Sequence, residues 1–166
     1  LVAADEQASL LISVDTIGLP GSVTRELATA IEDSHGLDRE RIVFCSTHTH
    51  AGPDLISELT NIFEKSLSED EVAAGLRYKE QLKSGILESV KLAFQDIAFA
   101  KLAYSVGNAT FAANRRVLKE GRWAGFGVQA DGVVDHSVPA LRITDAEGRI
   151  RGVVFNYACH CTTIGG

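Results

Sequence analysis

The spacing of apolar residues near the start of the chain predicts a strand, a helix and a second strand. Residues 10–17 and 41–46 are short apolar runs rich in β-branched side chains, as is typical of strands. Between them, residues 22–34 carry apolar side chains at the four-residue steps of a helix face, with Ser22 as the expected N-cap and Gly36 as the expected C-cap. Because a helix links the two strands, we expect them to pair in parallel through a right-handed crossover.

The rest of the chain predicts a long helix followed by three strands. Residues 69–97 repeat apolar side chains every four residues, with lysine, glutamate and glutamine between them. Residues 110–132 contain several glycines and are expected to be irregular. Asp145, Ala146, Glu147 and Gly148 predict a hairpin turn. The three strands are expected at residues 99–107, 138–144 and 150–157.

These elements predict an α/β fold, with α+β as the alternative: a mixed β-sheet flanked by helices. The length of 166 residues is that of one domain, so we expect a single domain over residues 1–166 with no internal boundary. Hydrophobic residues make up 45% and charged residues 23% of the chain, which excludes the disordered and low-complexity classes. The sequence begins with Leu1 and contains no methionine, so we expect an incomplete domain, a fragment of a longer protein.

Charge, hydropathy and cysteine content exclude several classes of partner and structure. The net charge is −6 without a basic stripe, which argues against nucleic acid as a partner. No apolar run approaches the roughly 20 residues that a membrane-spanning helix needs. Three cysteines argue against a disulfide framework, and Cys45, Cys159 and Cys161 are expected to be small buried hydrophobic residues.

Candidate chemistry is concentrated in two segments that contain no Asp, Glu, Lys or Arg. Residues 42–53 and 153–166 each run from an apolar strand into a polar loop that carries histidine. His48 and His50 follow the first strand and His160 follows the second. If the two strands are parallel neighbours, these side chains converge at one edge of the sheet. Three neutral imidazoles in a charge-poor site suit zinc.

Other interpretations of these residues stay open at the level of sequence. A histidine in a loop can simply be hydrogen bonded to the backbone, and Cys159 or Cys161 could be the nucleophile of a cysteine–histidine hydrolase. Arg115, between Asn114 and Arg116, could stabilise an oxyanion or be a solvated surface residue. The remaining two histidines are expected to be structural. His35 lies at a helix C-terminus, and His136 lies in a loop near Asp131 and Asp135.

Four stretches in order give the chain a resemblance to the neutral/alkaline (non-lysosomal) ceramidases. Residues 46–53, Ser-Thr-His-Thr-His-Ala-Gly-Pro, resemble the double-histidine motif of that family. Residues 114–116, Asn-Arg-Arg, resemble its Asn-Arg segment, and residues 135–142 resemble its strand leading into the sheet. Residues 155–163, Phe-Asn-Tyr-Ala-Cys-His-Cys-Thr-Thr, resemble its second histidine motif. The resemblance extends from about residue 10 to the end.

The resemblance implies a zinc-dependent amidohydrolase that cleaves the N-acyl bond of ceramide to give sphingosine and a fatty acid. By position, His48 and His160 would be zinc ligands, His50 would contact the reacting amide, and Arg115 would help to stabilise the oxyanion. Two further ligands of the family, a Glu and a Tyr, come later in its chain and have no counterpart here, so we expect these 166 residues alone to be inactive. Asp54, Leu55 and Ile56 replace the usual glycine-rich continuation.

The same resemblance implies the setting of the reaction. The substrate would be a lipid, ceramide or another N-acyl lipid, and contact with a membrane surface would be peripheral. The location would be extracytoplasmic or secreted. Two other functions compete with this one: a zinc hydrolase of the same fold that acts on a different N-acyl or ester substrate, and a non-catalytic binding domain with structural histidines.

Overall fold

The computed structural model of the chain describes residues 2–4, 7–53, 55 and 67–160. These residues form helices, parallel strands and antiparallel strands, which confirms the predicted mixed class in its α+β form. They group into two compact units, Leu1–Ile97 and Ala98–Gly166.

A mixed three-stranded sheet is the framework of the first unit. Strand β1 (Val2–Ala4) pairs antiparallel with β2 (Gln7–Val14), and β2 pairs in parallel with β3 (Ile42–Ser46). The parallel register runs from Leu10 opposite Ile42 to Val14 opposite Ser46, which confirms the predicted crossover pair. Because both strands run the same way, their C-terminal loops leave the sheet at the same edge.

The crossover helix α1 (Gly21–His35) begins one residue earlier than predicted. The predicted N-cap at Ser22 is wrong: Pro20 occupies that position without a side-chain cap, and its carbonyl accepts the Thr24 N–H at 3.0 Å. Proline is tolerated at the start of a helix because its fixed φ suits the first turn and the N–H that it lacks would have no intrahelical partner there. The predicted C-cap is confirmed, since Gly36 has a left-handed φ of 64° and donates to the Glu32 carbonyl.

The second helix, α2 (Glu69–Gln95), begins at a capping box. The Ser68 hydroxyl accepts the Glu71 N–H at 3.3 Å, and the Glu71 carboxylate accepts the Ser68 N–H at 2.8 Å. The two hydrogen bonds thus give partners to two backbone N–H groups that would otherwise lack one at the start of the helix. The long amphipathic helix that the four-residue period predicts is confirmed.

Both helices contribute to the core of the first unit together with one face of the sheet. The buried cluster joins alternate residues of β2 to one stripe of each helix, including Leu10, Val14, Val23, Leu27, Ala28, Ile31, Ile86 and Val90. Leu11 and Val43 point to the opposite face and are exposed. No helix in the described part of the chain is both long enough and apolar enough to cross a membrane.

The second unit contains two antiparallel sheets. The main sheet consists of β4 (Lys101–Asn108), β7 (Ser137–Thr144) and β8 (Ile150–Phe155), and a separate hairpin of two strands lies in residues 110–132. The order in the main sheet is β4-β7-β8, and the predicted turn between β7 and β8 is confirmed. In that turn the Asp145 carboxylate accepts hydrogen bonds from the backbone N–H groups of Glu147 and Arg149.

The hairpin in residues 110–132 was not predicted, and the expectation of an irregular stretch there is wrong in part. Strands β5 (Arg116–Lys119) and β6 (Arg122–Phe126) are joined by Glu120 and Gly121, both with positive φ, 51° and 75°. Two such residues make the tight turn whose twist matches a hairpin. The strands are short and a register shift interrupts them after Val117, so the two-residue alternation that identifies a strand is broken.

Candidate metal centre

The loop after β3 is tied to the segment after β2. The Thr47 N–H donates to the Val14 carbonyl at 3.1 Å, and the His48 N–H donates to the Thr16 carbonyl at 3.0 Å. Thr16 is buried, with 1% of its surface exposed. The backbone of His48 is therefore fixed by the end of the neighbouring parallel strand.

His48 has a left-handed backbone with a φ of 60°, which is uncommon for a residue with a side chain. Its Nδ1 lies 2.7 Å from the Ile17 carbonyl oxygen. A carbonyl only accepts, so Nδ1 carries the proton, and Nε2 of the neutral ring then has a lone pair. Metal-binding histidines are oriented in this way, with one ring nitrogen on a backbone carbonyl and the other on the metal.

His50 lies next to His48, with ring centroids 5.0 Å apart and the rings edge to face. The sequence predicted that both side chains would point the same way from an extended backbone. The left-handed turn at His48 replaces that extended backbone, and the two rings are close nonetheless. Both residues are exposed, so an ion from solvent can reach them.

His48 and His50 belong to the first unit, and His160, the third histidine that the sequence predicts at the site, belongs to the second. The sequence predicts that the histidines converge only if the strands that precede them are parallel neighbours, and this condition is not met. The strand before His160 is β8, which belongs to the antiparallel sheet, whereas β3 belongs to the mixed sheet.

The segment that leads to His160 is anchored within the second unit by Tyr157. Its hydroxyl donates to the Ala109 carbonyl at 2.7 Å and accepts the Ala112 N–H at 3.1 Å. The Cys159 N–H donates to the Tyr157 carbonyl at 2.8 Å, which makes a tight turn just before His160. No local pattern in the sequence predicts this role of Tyr157, because its hydroxyl bonds to backbone that is distant along the chain.

Asn114 and Arg115 hold the base of the β5–β6 hairpin. Asn114 donates from its amide nitrogen to the Val133 carbonyl at 3.0 Å and accepts the Arg116 N–H at 3.0 Å. The Arg115 Nε donates to the Gly127 carbonyl at 2.8 Å, and the Gly127 N–H donates to the Arg115 carbonyl. The guanidinium is thereby oriented through one of its nitrogens.

The other predicted residues have structural surroundings. The His35 ring packs against Phe94 with centroids 4.3 Å apart. His136 is half-buried, and its Nδ1 has no hydrogen-bond partner among the described residues. Beside it, the hydroxyl and the backbone N–H of Ser137 both donate to Asp135 and lower the pKa of that carboxyl.

The prediction that Cys45 is buried is wrong. Its side chain is exposed because it alternates with Phe44 along β3 and points away from the face that the helices cover. Cys159 is half-buried, in agreement with a small apolar role. Cys161 lies outside the described residues, as do Asp54 and Ile56, whereas Leu55 is fully buried.

Comparison with solved structures finds the same fold in ceramidases. Neutral ceramidase from Pseudomonas aeruginosa matches with a TM-score of 0.65 and 19% identity over 92% of this chain. A ceramidase complexed with C2 matches with the same TM-score and identity, also over 92% of this chain. No family model and no curated protein matches the sequence.

The chain spans about a quarter of the length of these solved structures, 24% of the first and 23% of the second. At 19% identity the similarity concerns the fold. The resemblance that the histidine motifs indicate is therefore confirmed at that level: this chain has the fold of the corresponding part of neutral ceramidase.

Proposed function

We propose that this chain carries part of the zinc centre of a hydrolase that cleaves the N-acyl amide bond of ceramide to give sphingosine and a fatty acid. The observation that carries the proposal is the hydrogen bond from His48 Nδ1 to the Ile17 carbonyl. It leaves Nε2 as a metal-binding nitrogen, in a residue whose ring lies beside that of His50.

The donor set supports zinc as the metal. Neutral imidazole nitrogens suit Zn²⁺, whereas Ca²⁺ and Mg²⁺ prefer oxygen ligands. We assign His48 and His160 as zinc ligands and place His50 beside the metal. The family's Glu and Tyr ligands have no counterpart in these 166 residues, so we expect the chain alone to hold zinc weakly and to be inactive.

Each residue then has a role in the hydrolysis of the amide. When bound, zinc would supply Lewis-acid polarisation of the carbonyl and activation of water. His50 would donate a hydrogen bond to the reacting amide. The Arg115 guanidinium would donate to the oxyanion that develops on the carbonyl oxygen, and the Gly127 carbonyl would orient it through Nε.

The resemblance also supports the biological setting that we propose. A ceramide substrate places the reaction in sphingolipid metabolism, as a step of ceramide catabolism. The same resemblance supports an extracytoplasmic or secreted location and a lipid as the partner.

A product assay of the complete natural protein tests the reaction. Incubated with ceramide, it should release sphingosine and fatty acid in equal amounts. Other N-acyl lipids and esters are the comparison substrates. Release from these but not from ceramide would show a zinc hydrolase of different specificity, and no release from any of them would support a non-catalytic binding domain.

A further inference from the structure

Asn114 is held at three points, two of them on a loop that is distant along the chain. Its side-chain amide donates to the Val133 carbonyl at 3.0 Å, and its side-chain oxygen accepts the Arg116 N–H at 3.0 Å. Its backbone carbonyl accepts the Gln129 N–H at 2.8 Å. Residues 127–133, which follow β6 and which we call the 127–133 loop, therefore fix the position of Asn114.

The same loop holds the next residue, Arg115. The Arg115 Nε donates to the Gly127 carbonyl at 2.8 Å, and the Gly127 N–H donates to the Arg115 carbonyl at 3.0 Å. A guanidinium is planar, so a hydrogen bond at Nε restricts the direction in which its other donors point. The 127–133 loop thus holds both the backbone and the side chain of Arg115.

Gly132 allows the 127–133 loop to lie directly against Asn114. Its N–H donates to the Gln129 carbonyl at 3.0 Å, which closes a turn within the loop. A Cβ atom added at Gly132 would lie 2.5 Å from Cβ and 2.7 Å from Cγ of Asn114. Carbon atoms pack at about 3.5–4.0 Å, so a larger residue at position 132 must displace either Asn114 or the loop. Rotation of the Asn114 side chain does not relieve this overlap, because Cβ is attached to the backbone.

Burial separates the supporting residues from the residue that they support. Asn114, Gly127, Gln129 and Gly132 are half-buried, whereas Arg115 is exposed. A long exposed side chain loses rotamer freedom when it is fixed on a substrate. A loop that orients the guanidinium in advance removes that cost from the reaction.

We propose that Asn114 and Gly132 are positioning residues for the hydrolysis. Gly132 allows the 127–133 loop to approach Asn114, and the loop in turn orients the Arg115 guanidinium through Gly127. Both residues act through Arg115 and touch no reacting atom. This inference rests on the proposed function, in which Arg115 donates to the oxyanion.

Gly132→Ala in the complete natural protein tests the close approach. It should lower the kcat for ceramide hydrolysis about ten- to a hundredfold, because a displaced donor meets the oxyanion poorly, and it should change KM little. Gly107→Ala is the matched control, since a Cβ there would lie 3.7 Å from the Val138 carbonyl oxygen, an ordinary contact. It should keep the parental kcat. Equal kcat in the folded Gly132→Ala variant and the parent would contradict the role of Gly132.

A double-mutant cycle tests whether Gly132 acts through Arg115. When Arg115→Ala is already present, Gly132→Ala should lower kcat by less than about twofold, because the donor that the loop orients is gone. A residue that only stabilises the fold would reduce kcat by the same factor with and without Arg115. Such additive losses would overturn the proposal.

Asn114→Ala tests the same contact without a steric overlap, and it decides the question if Gly132→Ala does not fold. The variant loses the side-chain hydrogen bonds to Val133 and Arg116. Its kcat should fall in the same way, again with no further loss when Arg115→Ala is present, and its zinc content should stay parental. Parental kcat in the folded Asn114→Ala variant would contradict the proposal.

A crystal structure of the complete Asn114→Ala variant separates positioning from catalysis. We expect the hydrogen bond from the Arg115 Nε to the Gly127 carbonyl to be lost. If this bond is unchanged, the positioning role is wrong, whether or not the protein hydrolyses ceramide. If the bond is lost but Arg115→Ala keeps the parental kcat, the proposed oxyanion role of Arg115 is wrong, and Asn114 and Gly132 do not serve catalysis.

Discussion

At the scale of single residues, His48 connects the sequence to the proposed chemistry through its backbone. Its left-handed conformation costs free energy, and hydrogen bonds to the carbonyls of Thr16 and Ile17 offset that cost. The sequence identified the histidine from its motif. It could not identify the two carbonyls, because every residue has one and only the fold decides which of them faces the ring.

Arg115→Ala should lower the turnover of the complete protein by about 10²–10³, the usual effect of losing one oxyanion donor. The KM for the lipid should change little, because the lost bond forms mainly in the transition state. Zinc content, measured on the same samples, should stay at the parental level.

Arg115→Lys is the matched control for charge, since it keeps the cation but loses the Nε donor to Gly127. It should recover only part of the activity. If Arg115→Ala instead loses its metal or unfolds, the residue is structural and the oxyanion role is wrong.

At the scale of elements, the periodic segments were predictable and the irregular ones were not. Both helices and strands β2, β3, β4, β7 and β8 follow from apolar spacing, because burial against a core imposes that spacing. The β5–β6 hairpin contributes few buried residues and carries a register shift, so it lacks the pattern. The prediction of Ser22 as the N-cap was wrong for a similar reason. The helix begins after Pro20, which makes no side-chain capping hydrogen bond, so the usual capping pattern is absent.

The capping box of α2 gives a prediction about stability. Ser68→Ala removes the acceptor for the Glu71 N–H and should lower the free energy of unfolding by about 1 kcal/mol. Urea denaturation measures the change. Ser89→Ala, an exposed site in the same helix, should change stability by less than about 0.5 kcal/mol. An equal effect at both positions would show that the cap contributes nothing specific.

At the scale of the whole molecule, the order of helical and strand patterns predicted the mixed class, and the motifs predicted the ceramidase fold. The extent of one domain over residues 1–166 stays a prediction, as do the roles of His48, His50, His160 and Arg115. The expected meeting of the histidines depended on parallel neighbouring strands, and the actual strands belong to two sheets. A pattern along the chain shows that a strand exists more readily than it shows which strand pairs with which.

Metal analysis of the complete natural protein tests the central claim most directly. The parent should contain about one zinc ion per chain, and the double variant His48→Ala, His160→Ala almost none, because two ligands of the site are lost. His35→Ala, at a histidine that packs against Phe94, should keep the parental content. Equal zinc in the parent and the double variant would contradict the assignment of the site.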